Sequence, residues 1–165
     1  MIDELQSNFI FKDCMNAIVR DKFGNIKQSH EGEDLITNAG KAAVAALILS
    51  DVAEDDFDYI AIGSGAGAAA VGNTVLEEEA ARGAATGTRG TTSVTNDTAQ
   101  LVYLFQSGVP AGLNGTSTGS RAIEESGVFN ASSGGDLLCR QTFSALNIDW
   151  DAGDTLQVTW KIQIS

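Results

Sequence analysis

The chain has 165 residues, of which 43% are hydrophobic and one is proline, a length and composition that suit one globular domain with a substantial core. Twenty-two acidic against ten basic residues give a net charge of −12, which opposes binding to nucleic acid and to anionic membrane surfaces. Cys14 and Cys139 lie far apart without metal-ligand spacing, so neither a disulfide framework nor a zinc site is predicted.

The first 36 residues are predicted to form an N-terminal arm with a hairpin. Their start, MIDELQSNF, is acidic and lacks the apolar core of a secretion signal, so we expect no Sec-type export. The run over residues 15–29 predicts two short strands around Gly24 and Asn25, which tolerate positive φ. The preceding NFIFKDC is either a further strand or an arm that packs on a neighbouring subunit, which makes Phe9 and Phe11 candidate interface residues.

The only histidine, His30, lies in the polar stretch KQSHEGED. A catalytic histidine needs an orienting partner and usually a nucleophile, and no G-x-S-x-G segment supplies one. We therefore predict an exposed loop histidine and no enzymatic activity.

Residues 37–165 are predicted to form a β-sandwich-like domain that begins with one helix at about residues 38–49. Thr37 or Asn38 can cap this helix, alanines favour it, and Val44, Leu47 and Ile48 share one face. The acidic stretch that follows, residues 51–58, lacks the spacing of a calcium loop and is predicted to be solvated.

The glycine-rich stretch YIAIGSGAGAAAVGNT, residues 59–74, raises the question of a nucleotide site. Gly63, Gly65 and Ala68 fit the relaxed dinucleotide fingerprint G-x-G-x-x-G/A. However, neither a helix signal nor a second strand ending in an acidic residue follows, and the chain has no Walker sequence. The stretch is therefore predicted to be a strand-to-loop junction, and no cofactor is expected.

The rest of the chain is β in character. Strands are predicted to start at residues 91–94 and to cover residues 100–106, 122–130 and 137–146, and the terminal TLQVTWKIQI alternates apolar and polar residues with a period of two. Glycine-rich and Asp-rich turns join them, so an antiparallel β-sandwich or barrel is predicted.

Two acidic clusters in this region could carry chemistry. Glu124 and Glu125 are adjacent, so on a strand they point to opposite faces and cannot form the facing pair of a glycosidase. We expect one of them to point inward and to satisfy backbone amides or Arg121 or Arg140.

The second cluster, NIDWDAGDT, contains Asp149, Asp151 and Asp154, which are weak candidates for a metal site but are also what a tight turn requires. Trp160 falls on the apolar face of the last strand and is predicted to be core. Trp150 is thereby the tryptophan that could stack on a sugar or contact a partner.

Two stretches, FDYIAIGSGAGAAAVGNTVLEEEAAR and AIEESGVFNASSGGDLLCRQTFSALNIDWDAGDTLQVTWKIQI, are similar to a diverse group of small virion structural proteins of tailed bacteriophages. The recurring motifs are IAIGtG, L..E..R, I.E.GlF, L.R..F and gDtl.vtW.i, in this order, over residues 57–164. This sequence departs from the pattern in the acidic loop 51–58, at Cys139 and in the N-terminal region.

The resemblance implies a non-enzymatic structural subunit of the virion, assembled in the host bacterial cytoplasm. It would form a homo-oligomer on the capsid or tail, so its partners would be further copies of the same chain and other virion proteins. An alternative is a receptor- or glycan-binding module of a tail fibre, acting through loops 107–120 and 149–154 with Trp150 as the stacking surface. A third is an enzyme that uses Gly63 and Gly65, or His30.

Overall fold

The computed structural model describes residues 11–33, 35–49, 53–109 and 120–165. These residues form two five-stranded antiparallel sheets and one helix, which confirms the predicted mainly β fold with a sandwich architecture. In chain order the elements are β1 (Phe11–Arg20), β2 (Ile26–Glu33), β3 (Leu35–Ile36), α1 (Asn38–Leu47), β4 (Tyr59–Gly63), β5 (Glu79–Ala84), β6 (Thr86–Gly90), β7 (Thr98–Phe105), β8 (Ser120–Phe129), β9 (Leu137–Asp149) and β10 (Thr155–Ile164).

The strand order is β2-β1-β10-β7-β6 in sheet A and β3-β9-β8-β4-β5 in sheet B. The terminal strand β10 lies at the centre of sheet A, where its predicted alternation is confirmed. Leu156, Val158, Trp160 and Ile162 face the core, while the residues between them are more exposed. A strand with one solvent-exposed face and one buried face requires apolar residues at every second position, because successive side chains point to opposite faces.

Strand β1 corrects the predicted division of the chain at residues 36 and 37. The hairpin itself is present, with Gly24 at a φ of +87° in its turn. However, β1 lies between β2 and β10, and its Met15, Ala17 and Val19 are fully buried in the common core. Residues 11–33 are therefore part of the sandwich and not a separate arm, because β10 needs a partner on that side.

The two shortest connections between the sheets join β2 to β3 and β5 to β6. Each spans one residue, and the amide of Ala85, between β5 and β6, donates to the carbonyl of Asp58 at 2.7 Å.

Helix α1 begins as predicted, because Thr37 Oγ1 accepts a hydrogen bond from the Gly40 amide at 2.9 Å. It ends at Leu47, two residues before the predicted end. Its buried contacts are made by Gly40 and Ala43, with Val44 half-buried behind them. Leu47 and the following Ile48 are exposed, because the helix packs through its first two turns.

Residues 91–94, predicted to start a strand, form a loop instead. Asp97 organises this loop, since its carboxylate accepts hydrogen bonds from the amides of Thr92, Ser93 and Val94. These bonds, first of all the one from Val94, hold the pKa of Asp97 well below its usual range. Strand β7 then begins at Thr98.

Candidate functional site

The glycine-rich stretch is the strand-to-loop junction that the sequence predicts. Strand β4 ends at Gly63, and residues 64–78 run on without a helix. The Ser64 amide donates to the carbonyl of Glu78 at 3.0 Å, which turns the chain back toward β5. The helix N-terminus on which a pyrophosphate would rest is therefore missing from residues 64–78.

The loop instead surrounds the carboxylate of Glu125, which comes from β8 and is fully buried. Glu125 Oε1 accepts hydrogen bonds from the amides of Gly65 at 3.0 Å and Glu78 at 2.7 Å, and Oε2 accepts one from the amide of Glu77 at 3.0 Å. This confirms the expectation that one of the paired glutamates points inward and satisfies backbone amides. A buried carboxylate requires such partners to remain charged.

Arg140 of β9 supplies the opposite charge. Its Nε donates to Glu125 Oε2 at 2.9 Å, and its Nη2 lies 2.9 Å from the same oxygen as an ion pair without hydrogen-bond geometry. Nη1 donates to Asn73 Oδ1 at 3.1 Å, so the guanidinium also ties down the loop. Of the two arginines considered from the sequence, Arg140 is the partner of the buried glutamate.

Positions 63 and 65 require glycine, because the Glu125 carboxylate occupies the space that a side chain at either position would need. An ideal Cβ would come within 2.5 Å of Glu125 Oε1 at Gly63 and within 2.6 Å at Gly65. The amide of Gly67 is also bonded to a carboxylate, that of Glu77, at 2.7 Å. Loop amides that could receive a phosphate are thus bonded to carboxylates, whose charge repels an anionic ligand.

A second charge pair, between Arg82 and the partly exposed Glu79, holds the turn between β8 and β9, and sequence reasoning missed it. Arg82 makes two hydrogen bonds to Glu79, at 3.0 Å from Nε and 2.7 Å from Nη2. Its guanidinium carbon lies 3.5 Å from the centre of the Phe129 ring, and Nη1 donates to the carbonyls of Ala131 and Gly134, both at 2.8 Å. A spacing of three residues indicates a side-chain pair on a helix and not on a strand, so no signal in the sequence pointed to this contact.

The aspartates of residues 149–154 are engaged in a turn. Asp154 is buried, forms an ion pair with Lys27, and accepts a hydrogen bond from the Asp149 amide at 3.0 Å. Asp149 Oδ1 in turn accepts the amide of Ala152 at 3.0 Å. In the described part of the chain no cluster of three or more His, Cys, Asp or Glu side chains could hold a metal ion. Asp149, Asp151 and Asp154 therefore gain no support as a metal site.

Trp150 does not occupy the surface, and this prediction is wrong. The side chain is 2% exposed and belongs to the main core cluster, so no sugar or partner can stack on it. It follows the last residue of β9, at the point where the chain turns in from sheet B to sheet A. Phe11 is half-buried and packs against the same cluster, and Phe9 lies outside the described residues, as do residues 110–119 of the proposed binding loop.

His30 lies on β2 and not in a loop, which corrects the sequence prediction. It is half-buried and stacks on Phe143 of β9, with ring centres 5.1 Å apart. Its buried Nε2 has no hydrogen-bond partner, and burial lowers the pKa of His30. The imidazole is therefore a neutral packing group between the two sheets, and no partner orients its Nε2 for proton transfer.

The outer face of sheet A carries a cavity of about 470 Å³, with lysines and glutamates on its walls. Cys14 lies there, with its Sγ 4.0 Å from Glu31 Oε1. Burial, and then the Glu31 charge, raise the pKa of the Cys14 thiol, so it is held in the unreactive protonated form. The lining residues are Lys12, Asp13, Cys14, Glu31, Gly32, Glu33, Thr92, Thr98, Lys161 and Gln163.

Within the described ranges, no helix has the length and apolar character needed to cross a bilayer. No family model, no curated protein and no solved structure matches this chain. The main side-chain contacts of the candidate site are the buried Glu125–Arg140 pair and the Arg82 pair with the partly exposed Glu79.

Proposed function

We propose that the chain is a non-enzymatic structural subunit of a tailed-phage virion that assembles as a homo-oligomer on the capsid or tail. One observation carries the proposal: the charged residues of the phage-like motifs are engaged in contacts inside the subunit. These contacts hold loops and turns against the two sheets and so stabilise the fold of the subunit.

Each charged motif position has an internal partner. Glu125 of I.E.GlF pairs with Arg140 of L.R..F at 2.9 Å, and these residues lie on neighbouring strands. Glu79 and Arg82 of L..E..R pair with each other at 2.7 Å. Asp154 of gDtl.vtW.i pairs with Lys27. The Glu125–Arg140 pair is buried on both sides, and such a pair is costly to break, so it restricts which packing arrangements the chain can adopt.

The apolar motif positions are used in the same way. The recurring apolar residues fill the space between the two sheets or the smaller cluster beneath the glycine-rich loop. The fully buried ones among them are Ile60, Ala61, Ile62, Ile123, Val128, Phe129, Leu156, Val158 and Trp160. These fully buried side chains pack inside the subunit and do not point into a cleft where they could react. This use of the motifs favours a structural subunit over an enzyme.

Among the described residues, nothing favours the alternative of a glycan-binding module. Its stacking residue, Trp150, is 2% exposed, and the turn around it is closed by the Lys27–Asp154 ion pair. A sugar site needs an exposed aromatic face with polar groups around it.

Two measurements test the proposal. Light scattering after size exclusion should give a discrete oligomer of the 17.2 kDa chain, and mass spectrometry of gradient-purified particles of the encoding phage should detect it in multiple copies per particle. A monomer at all concentrations would overturn the homo-oligomer. Absence from washed particles, with the chain present in the infected cell, would overturn the virion location.

A further inference from the structure

Strand β6, Thr86–Gly90, is an open edge of sheet A. It pairs with β7 on one side and has no strand on the other among the described residues. Its first four residues are exposed. An edge strand of this kind presents a row of unpaired backbone N–H and C=O groups that can bind another strand.

The other three edges carry more of the features by which proteins block such pairing than β6 does. Strand β2 has Lys27, Glu31 and Glu33 and a register shift against β1. Strand β5 has Glu79 and Arg82 and a register shift against β4, and β3 has two residues only. Charges, bulges and shortness all oppose edge pairing. Strand β6, with the sequence TGTRG, pairs with β7 in unbroken register and has one charge.

We propose that β6 is the contact through which two copies of the chain associate, by antiparallel pairing of β6 with β6 about a two-fold axis at Thr88. The inference rests on the homo-oligomer of the proposed function and names its interface. Sheet A of one copy would continue into sheet A of the other. Such an isologous contact uses the same surface on both subunits.

The side chains favour this register over the one centred on Arg89. With the axis at Thr88, the two Thr88 residues face each other, which is a favourable cross-strand pair. Arg89 then faces Gly87 of the second copy, and Thr86 faces Gly90. Moving the axis by one residue, to Arg89, would place two arginines opposite each other, and like charges in that position are destabilising.

Charge also favours this edge over others. Two chains with a net charge of −12 repel each other, so a stable contact is best placed where carboxylates are absent. Strand β6 contains none, whereas β2 and β5 both do.

Cysteine cross-linking tests the register in a Cys14→Ser background, with the buried Cys139 retained. Directly opposite Cα atoms lie about 4.5–5.5 Å apart, within the range of a disulfide. Thr88→Cys should therefore give a covalent dimer under mild oxidation. Thr86→Cys is the matched control, because the two Thr86 residues would be separated by about 14 Å along the strands and should not cross-link.

A charge variant provides a second readout. Thr88→Lys places two ammonium groups on the axis and should lower the mass measured by light scattering, whereas Ser29→Lys on the exposed edge strand β2 should not. Thermal melts verify that both variants fold. If the wild-type oligomer persists in Thr88→Lys and Thr88→Cys gives no covalent dimer, the β6 contact is wrong while the homo-oligomer stands. A monomeric wild-type chain would overturn both.

Discussion

An ideal Cβ on Gly65 would lie 2.6 Å from Oε1 of Glu125, so the loop amide and the buried carboxylate can meet only because Gly65 has no side chain. The glycines after β4 thus give a carboxylate from β8 access to the backbone. A pattern that resembles a nucleotide fingerprint is explained by a contact inside the fold.

We expect Gly65→Ala to destabilise the chain by about 1–3 kcal/mol, because the added methyl group must displace either Glu125 or the side chain of Glu77. Gly72→Ala is the control, since a Cβ there meets no atom within 4 Å. Urea unfolding of both variants measures the difference. Equal midpoints for the two variants would contradict the packing explanation.

Glu125→Gln should cost about 3–5 kcal/mol, because it removes the buried counter-charge of Arg140 and leaves that guanidinium only the more distant and half-exposed carboxylate of Glu77, at 3.6 Å. The substitution also directs an amide group toward backbone N–H donors that need an acceptor. Glu124→Gln, at the half-buried neighbouring position, should change the free energy of unfolding by less than about 0.5 kcal/mol. Chemical denaturation checks both values, and a Glu125→Gln chain as stable as wild type would count against the network.

Trp150→Ala should lower the stability by about 3–5 kcal/mol, as expected for removal of a buried aromatic side chain. Trp150→Phe should cost less than Trp160→Phe. The buried Nε1 of Trp150 has no hydrogen-bond partner, whereas Nε1 of Trp160 donates to Ser126 Oγ at 3.2 Å. The comparison is made by urea unfolding. The reverse order would show that the indole of Trp150 has a polar role.

His30 should make stability depend on pH. Burial lowers its pKa in the folded chain from the usual 6.5, so the unfolded chain binds the proton first as pH falls. The neutral His30 side chain therefore makes its full contribution to the free energy of unfolding above pH 6.5. This contribution is lost as the pH falls from 6.5 through the lowered pKa of the folded chain. Wild type should therefore lose more stability between pH 7.5 and pH 5.5 than His30→Gln, measured as the change within each protein. Parallel profiles would exclude His30 as the titrating group.

Features that depend on a few neighbouring residues were predictable from the sequence. The period of two in β10 reflects alternate faces of one strand, and Thr37 caps the helix through a bond to Gly40, three residues away. The inward glutamate was predictable as well, because adjacent strand residues point to opposite faces and a buried carboxylate needs donors.

Only the tertiary structure decided which distant segments meet. Lys27 and Asp154 are 127 positions apart, and their pairing closes the turn that the sequence offered as a metal or sugar site. Strand β1 is an interior strand of sheet A, and Trp150 and His30 are packing residues, because of the segments that lie against them. Local propensity and periodicity report the conformation of a segment, whereas burial is a property of contacts between segments, which no short stretch of sequence contains.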